Sequence, residues 1–490
     1  MTSPGLEALI ALEDEEPDFL IGSLSGTPVQ IWHLLRWPII QELARRDYGT
    51  ESAPSSNPRA VRRLSASARV VLPRSTDAER APRDASVVFH VSGRSTVKSD
   101  GRWKNWMVDD FALELGRDAL VVQDRELPQR GEGSLEREVE SFTLKRLHLR
   151  VELRARISGL PDRDERAIRS VAKSAFSRLG IALDSAAQAR AIEKALANAR
   201  RASPLAREYR RWLAARSSTR LLLMESASYG GSRAVLAHAA RDLGIDVAEL
   251  QHGWIGRVHG AYNMGRIMFQ EPLRSSLPDT LFTYGEYWGR ELRTPSSIHV
   301  VGKPHLNRVA ASALPIRHRS PAVLFVSSMY RRDELARLAL HARSALPEAW
   351  RVLVRLHPSE RNSDLSDFPG LTGASGIDID PELDVYESLS RACVVLGHSS
   401  TVLYEALAFG CRVIPIDSPL LDDYARNPSF GNPVHDGRGV ARELTALVGA
   451  GLHDNVDESH ELTWSSASPS EFLDAIRFTA ARSRKNPPGP

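Results

Sequence analysis

Short apolar runs, most closed by a glycine, serine or histidine turn and followed by a helical pattern, recur along residues 86–416. Ser86–Val91, Asp118–Val122, Leu221–Met224, Val247–Leu250, Thr280–Gly285 and Ile298–Val301 form a first series. After a break near Pro315 the rhythm restarts with Ala322–Val326, Val352–Leu356, Cys393–Leu396 and Arg412–Ile416. Parallel strands need a long crossover, usually a helix, so this alternation predicts parallel sheets covered on both faces. Two series predict two doubly wound units. Ligands of such sheets sit at the carboxyl ends of the strands, so the loops just after the strands are the positions to read for chemistry.

Composition narrows the class. The chain has 490 residues, 42% hydrophobic and 26% charged, ordinary values for a globular protein of several domains. A formal charge of +3 does not mark a nucleic-acid binder. The basic residues are lopsided: seven are lysine and 57 arginine, a pattern that either a GC-rich genome or selection for phosphate and anionic surfaces produces. Two cysteines, Cys393 and Cys411, fit a reducing compartment. The acidic leading segment does not read as a secretory signal, and no window reaches the roughly 18 apolar residues of a spanning helix. The expectation is a cytoplasmic protein that rests at most on the inner face of the plasma membrane.

The domain organisation expected is a helical segment and linker over 1–84, a first α/β domain over 85–305 and a second over 306–450. A C-terminal helix and tail follow over 451–490. Trp32, Leu35 and Ile39 mark one buried helix face in the leading segment. A helical, basic insertion occupies about 134–216. Between 141 and 220 there are 16 Arg and 3 Lys against 7 acids, a local charge of +12. That is either a solvated helix face or a surface for an anionic lipid or acceptor.

The stretch DVYESLSRACVVLGHSSTVLYEALAFGCRVIPI at 384–416 carries the most chemistry. A strand ends at Gly397, and Ser399, Ser400 and Thr401 then open a helix. A helix N-terminus binds anions through its unpaired amides, and a hydroxyl there is either a plain cap or a phosphate ligand. Glu405, one turn on among apolar residues, needs a partner, either a ribose hydroxyl or a salt bridge. His357, followed by Pro358, ends another strand, where a histidine either holds a turn or meets a leaving phosphate. Lys303 and Arg355 either neutralise a diphosphate or form ion pairs. Arg331 and Arg332, after the strand-end Ser327-Ser328, are further phosphate candidates. In the first series, Glu225, Tyr229, Gly230, His252 and Gly253 follow strand ends as candidates for the acceptor side. His252 serves as general base or as a turn histidine, with His259 and Glu225 as alternative bases. No zinc spacing and no Asp-x-Asp pair suggests a metal.

Together, His357-Pro358 and Gly397–Glu405 resemble the nucleotide-binding domain of GT-B glycosyltransferases. They resemble in particular a group with a His-Pro motif and a later Ser-Ser/Thr motif: bacterial sialyltransferases, polysialyltransferases and CDP-glycerol glycerophosphotransferases. The resemblance implies nucleotide-phosphate contacts for His357, Ser399, Ser400 and Thr401, and a ribose contact for Glu405. LQHGWIGRVHGAYN at 250–263, LPDTLFTYGEYWGRELR at 277–293 and IHVVGKPHLN at 298–307 are similar to the strand–loop series of GT-B N-terminal domains, of capsule transferases and of the non-hydrolysing UDP-sugar 2-epimerases. His252-Gly253 matches the His-Gly loop of the glycerophosphotransferases. The acidic motif of the sialyltransferases is not matched, since Asp109-Asp110 is followed by Phe111.

The expectation is therefore a GT-B-like fold of two Rossmann-like domains. Its activity would be a metal-independent transfer, without cofactor, of a sugar or polyol phosphate from a nucleotide-activated donor to a glycan or lipid-linked acceptor, with an anionic membrane surface as a further partner and no nucleic acid. A UDP-sugar 2-epimerase and a non-catalytic nucleotide-sugar-binding protein are the alternatives.

Overall fold

The computed structural model describes residues 3–48, 76–93, 95–99, 101–124, 138–328, 331–357, 360, 371, 374–382, 384–418, 427–451, 462–466 and 470–476. Pro358, most of the 50–84 linker and most of the 451–490 tail lie outside them. The chain divides into two compact units. The first takes in Ser3–Thr283, Glu291–Val301 and Ser468–Pro490; the second takes in Tyr284–Arg290 and Gly302–Ala467.

The first unit is built on strands β1 (Val87–Val91), β2 (Thr96–Ser99), β3 (Arg102–Asn105), β4 (Ala119–Gln123), β5 (Ser141–Thr143), β6 (Leu221–Glu225), β7 (Asp246–Leu250), β8 (Thr280–Thr283) and β9 (Ser297–Val300). All but the β2–β3 hairpin form one parallel sheet in the order β5-β4-β1-β6-β7-β8-β9. Because successive side chains point to opposite faces, Val88, Leu120, Val122, Leu222 and Met224 enter one core layer. Val87, Phe89, Val121, Leu221 and Leu223 enter the other.

The first layer is covered by the helices Pro4–Asp14, Ile31–Tyr48, Ser185–Ala214 and Ser232–Arg241. The leading segment is thus part of the first unit's core, with Trp32, Leu35 and Ile39 fully buried as their spacing predicts. The basic insertion is the three helices Lys145–Ser158, Asp162–Arg178 and Ser185–Ala214. Much of its charge is matched: Arg150, Arg154 and Arg211 converge on Glu208, Arg190 pairs with Glu42, Arg201 with Glu152 and Arg210 with Asp242.

The opposite layer is closed by the helix Asp109–Leu115 and by 470–476, where Phe472 stacks on Phe111 with ring centroids 3.8 Å apart. The segment 470–476 therefore belongs to the first unit's core.

The second unit holds β10 (Ala322–Val326), β11 (Arg351–Arg355), β12 (Ile377–Ile379), β13 (Val394–Gly397) and β14 (Arg412–Pro415), all parallel in the order β12-β11-β10-β13-β14. Val323, Phe325, Val352, Val354 and Leu396 pack with Leu335, Leu338, Val440 and Leu444 of the helices Arg332–Ala345 and Gly437–Ala450. In both sheets the chain order reverses beside the first strand of the unit, between β1 and β6 and between β10 and β13. Both units are Rossmann-like α/β folds, as the alternation predicts.

Phe472→Ala should cost about 3–5 kcal/mol, the usual loss for a buried phenylalanine. Urea unfolding of the full chain measures it, and a loss near zero would remove 470–476 from the first unit's core.

Candidate functional site

In the first unit the loops after β6 and β7 bring together most of the candidate groups. Ser226 leaves β6 with a left-handed backbone, and Gly230 and Gly231 follow with positive φ. Gly230 has no room for a side chain, because an added Cβ would lie 2.2 Å from the His33 carbonyl oxygen. That approach lets the Gly231 amide donate to the same carbonyl at 2.8 Å. The turn places the Tyr229 hydroxyl 3.3 Å from His252 Nε2 and 3.0 Å from His259 Nε2. Ser226 Oγ lies 3.4 Å from His252 Nε2, and the Tyr262 hydroxyl 3.5 Å from its Nδ1. Gly253 accepts a hydrogen bond from the Gln251 side chain through its carbonyl, 2.9 Å away.

Below this cluster lies Glu249, fully buried on β7. The Ser228 amide and hydroxyl and the Tyr262 hydroxyl donate to its carboxyl group at 2.9, 2.5 and 2.7 Å. Burial outweighs those bonds and pushes its pKa up to about 7. Burial pulls His252 down, against the attraction of Glu225. It pulls His259 down to about 3, with His252 adding to the effect. Both imidazoles are therefore neutral at pH 7, and His259 is the weaker base of the two. Glu225, at the end of β6, accepts from the Ser92 amide at 2.6 Å and hydroxyl at 2.9 Å.

A second charged group lies beside it at the reversal between β1 and β6. Asp124 meets His90 at 3.0 Å and Arg233 at 2.7 Å. Burial opposes its charge, but His90 and Arg233 hold its carboxyl well below the usual carboxylate range. Glu249, Tyr262, Ser228, Asp124, His90 and Arg233 were not picked out from the sequence. Their signal was a charged residue inside an apolar strand, His90 in Val-Val-Phe-His-Val and Glu249 in Asp-Val-Ala-Glu-Leu.

The second unit gathers its candidates at the reversal between β10 and β13. Ser400 caps the helix Thr401–Ala408, its hydroxyl accepting from the Val402 amide at 3.2 Å. The cap reading is therefore realised for Ser400, and Ser399 and Thr401 flank it. The neighbouring strand β10 leads to a second helix, Arg332–Ala345, entered through Arg331 in a left-handed conformation. Arg331 is exposed and Arg332 half-buried, and they meet Glu334 at 3.0 Å and Glu360 at 3.4 Å. Ser328 Oγ is buried with no hydrogen-bond partner among the described residues. His398, fully buried, lies 3.5 Å from Glu334, and burial lowers its pKa to about 4. His357 is half-buried at the end of β11, its amide donating to Glu360 at 2.9 Å, and burial lowers its pKa too.

For three expected donor ligands the structure realises the ion-pair alternative. Lys303 and Glu405 are both buried and 2.5 Å apart, with the Tyr386 hydroxyl 3.2 Å from the same carboxylate oxygen. The rings of Tyr284, Tyr386 and Trp464 surround the Lys303 ammonium at 5.0–5.7 Å. A charge that far out of water needs its partner, so the two residues neutralise each other. Arg355 is committed to Asp380 at 2.5 Å and to the Ser388 hydroxyl at 2.7 Å. Among the described residues no group of His, Cys, Asp and Glu could hold a metal ion, and no helix is long and apolar enough to cross a membrane.

Fold and loops together define the class, a protein of two doubly wound α/β units with polar clusters at the carboxyl ends of the central strands. Neither a protein-family model nor a curated protein matches the chain. Solved structures similar to it include a provisionally assigned UDP-N-acetylglucosamine 2-epimerase from Listeria monocytogenes (TM-score 0.48, 13% identity, covering 81% of this chain and 97% of that one). They also include the UDP-GlcNAc 2-epimerase of Methanocaldococcus jannaschii (0.47, 11%, 80% and 99%). A third is a sucrose-phosphate synthase from Thermosynechococcus elongatus (0.45, 13%, 81% and 100%).

Glu249 makes stability depend on pH. Its native pKa of about 7 lies above the ordinary 4.5, so its stabilising contribution is full below pH 4.5 and is lost as pH rises through 7. The stability of the native chain relative to Glu249→Gln should fall by about 3 kcal/mol between pH 4.5 and 8. Urea titrations of both proteins across that range measure the difference. A flat difference would mean that Glu249 is ionised throughout.

Proposed function

We propose that the protein is a metal-independent transferase that uses a nucleotide-activated donor, a sugar or a polyol phosphate. The observation that carries the reading is in the second unit. Two adjacent parallel strands, β10 and β13, lead at the chain reversal to helix N-termini bearing Arg331, Arg332, Ser399, Ser400 and Thr401. First-turn amides, hydroxyls and guanidinium groups are what a diphosphate needs. The His357 and Ser-Ser motifs resemble those of the GT-B transferases in the same roles.

In this reading the donor phosphates bind at Ser399–Thr401, with Arg331 and His357 stabilising the charge that develops on the leaving nucleotide. The first unit takes the acceptor. His252, neutral because it is buried and oriented by Tyr229 and Ser226, accepts the proton of the acceptor hydroxyl. The oxygen forms the new bond while the bond to the nucleotide phosphate breaks. A glycan or lipid-linked surface polymer is the acceptor class. Exposed Arg156, Arg163, Arg166, Arg200 and Arg207 on the helical layer suit an anionic acceptor or lipid surface.

One observation favours a second reading. The carboxyl, imidazole and phenol groups of Glu249, His252, His259, Tyr229 and Tyr262 lie in one cluster, and epimerisation of a nucleotide sugar requires such an acid–base set. Incubation with UDP-N-acetylglucosamine, followed by NMR for the 2-epimer, separates the readings.

Thermal shift against CMP, CDP, UDP and GDP species tests the donor site, since bound ligand stabilises by mass action. At least one should raise the melting temperature. Arg331→Ala and Ser399→Ala should each weaken that nucleotide about tenfold, in line with losing a charge-assisted hydrogen bond. No response to any of them would sink the proposal.

A further inference from the structure

We propose that Trp37, His259 and Trp254 of the first unit form the binding face for an uncharged pyranose ring of the acceptor, with Tyr229 and His252 meeting its hydroxyls. The inference deepens the reading in which the first unit takes the acceptor.

His259 contacts two tryptophan rings. His259 lies 6.2 Å from Trp37 at an interplanar angle of 12°, and 5.8 Å from Trp254 at 28°. Tyr229 packs on Trp37 with centroids 4.3 Å apart, and its hydroxyl sits between the Nε2 atoms of His252 and His259. All four aromatic residues are half-buried. Trp32, little more than a turn earlier on the helix that carries Trp37, is fully buried. Large rings normally gain stability by complete burial. A group of rings left partly open at the carboxyl ends of β6 and β7, with convergent polar atoms, has the make-up of a small-molecule site.

The chemistry of the rings selects the ligand class. Aromatic faces are electron-rich, and a pyranose presents polarised C–H bonds on its face and hydroxyls at its rim. The rings are also uncharged at neutral pH, since burial keeps His259 deprotonated. The face therefore suits a sugar ring rather than a phosphate. The Tyr229 hydroxyl, which can donate and accept, and the neutral His252 ring, with one donor and one acceptor nitrogen, suit the rim.

The platform is also held rigid. Glu13 and Arg36 form a buried pair at 2.6 Å. Arg36 donates to the carbonyls of Gly260 at 2.5 Å and Asn263 at 2.7 Å, and Glu13 accepts from the Gly265 amide at 2.8 Å. The Asn263 side chain donates to the carbonyls of Gly256 and His259. Trp254 lies on Gly256, where an added Cβ would come within 2.6 Å of its ring. A face fixed before binding loses little ordering entropy when the ligand arrives.

The test uses saturation-transfer NMR on the full chain without nucleotide. The probes are the methyl glycosides of glucose, galactose and N-acetylglucosamine, with glycerol as the control. The native protein should transfer saturation to the ring C–H protons of at least one pyranoside, with millimolar saturation, and not to glycerol. Trp254→Ala should weaken that binding at least tenfold, and Trp254→Phe should keep it within about threefold, because the loop keeps an aromatic face. Trp37→Ala, checked for an unchanged melting transition, should act like Trp254→Ala. No transfer to any pyranoside, or the same affinity in Trp254→Ala, would overturn the inference. A nucleotide response in the second unit without pyranoside binding would sink the platform and leave the donor site standing.

Discussion

Parallel strands cannot be joined by tight turns, and that constraint organises both units. Each crossover must leave the sheet at a carboxyl end and return at the amino end, usually through a helix. The loops that can vary without disturbing the hydrogen-bond ladder therefore collect along one edge of each sheet. Where the chain order reverses, two such loops diverge and open a crevice. In the first unit this edge carries Ser92, Asp124, Glu225, Tyr229 and His252. In the second it carries Ser328, Arg331, His357 and His398–Thr401.

The two edges differ in character because different groups neutralise them. The second unit's loops end on helix N-termini beside Arg331 and Arg332, which favours anions. The first unit's loops are packed with imidazole, phenol and carboxyl groups, among which burial holds His252 and His259 neutral and raises Glu249 to about 7. Proton transfer suits Glu249 among them, because its charge changes within reach of neutral pH. The Glu13–Arg36 pair extends this arrangement outward. By holding the carbonyls of Gly260 and Asn263 it makes the leading helices part of the loop's support, although they lie more than 200 residues away in sequence.

Much of the scaffold was legible from pattern alone. The apolar runs from Val87 to Pro415 fall within a residue or two of the observed strands, because a strand buried on both faces must be apolar throughout. The short strands β2, β3, β5 and β12 escaped, since four or fewer partly polar residues carry no period to read. The site was legible only in part. His252, His259, Tyr229 and Glu225 stood out because they follow strands, and the structure does bring them together. Lys303, Glu405 and Arg355 stood out as charges beside or within apolar elements, yet the fold gives each a counter-charge close in space and far along the chain. Lys303 and Glu405 are 102 positions apart, and no local spacing reveals such a pair.

The sequence by itself determined the class of fold and the edge of each sheet where chemistry can occur, because hydrophobic period and crossover length are local properties. Only the tertiary structure decided which charged groups neutralise one another and which are left to face a ligand. It also decided that Trp37 and Trp254 each meet His259, and that Phe472 packs against Phe89 and Phe111 in the first unit. Those outcomes depend on burial and on contacts between distant segments, where the cost of an unpaired charge or an exposed ring is set by neighbours that the linear order does not name.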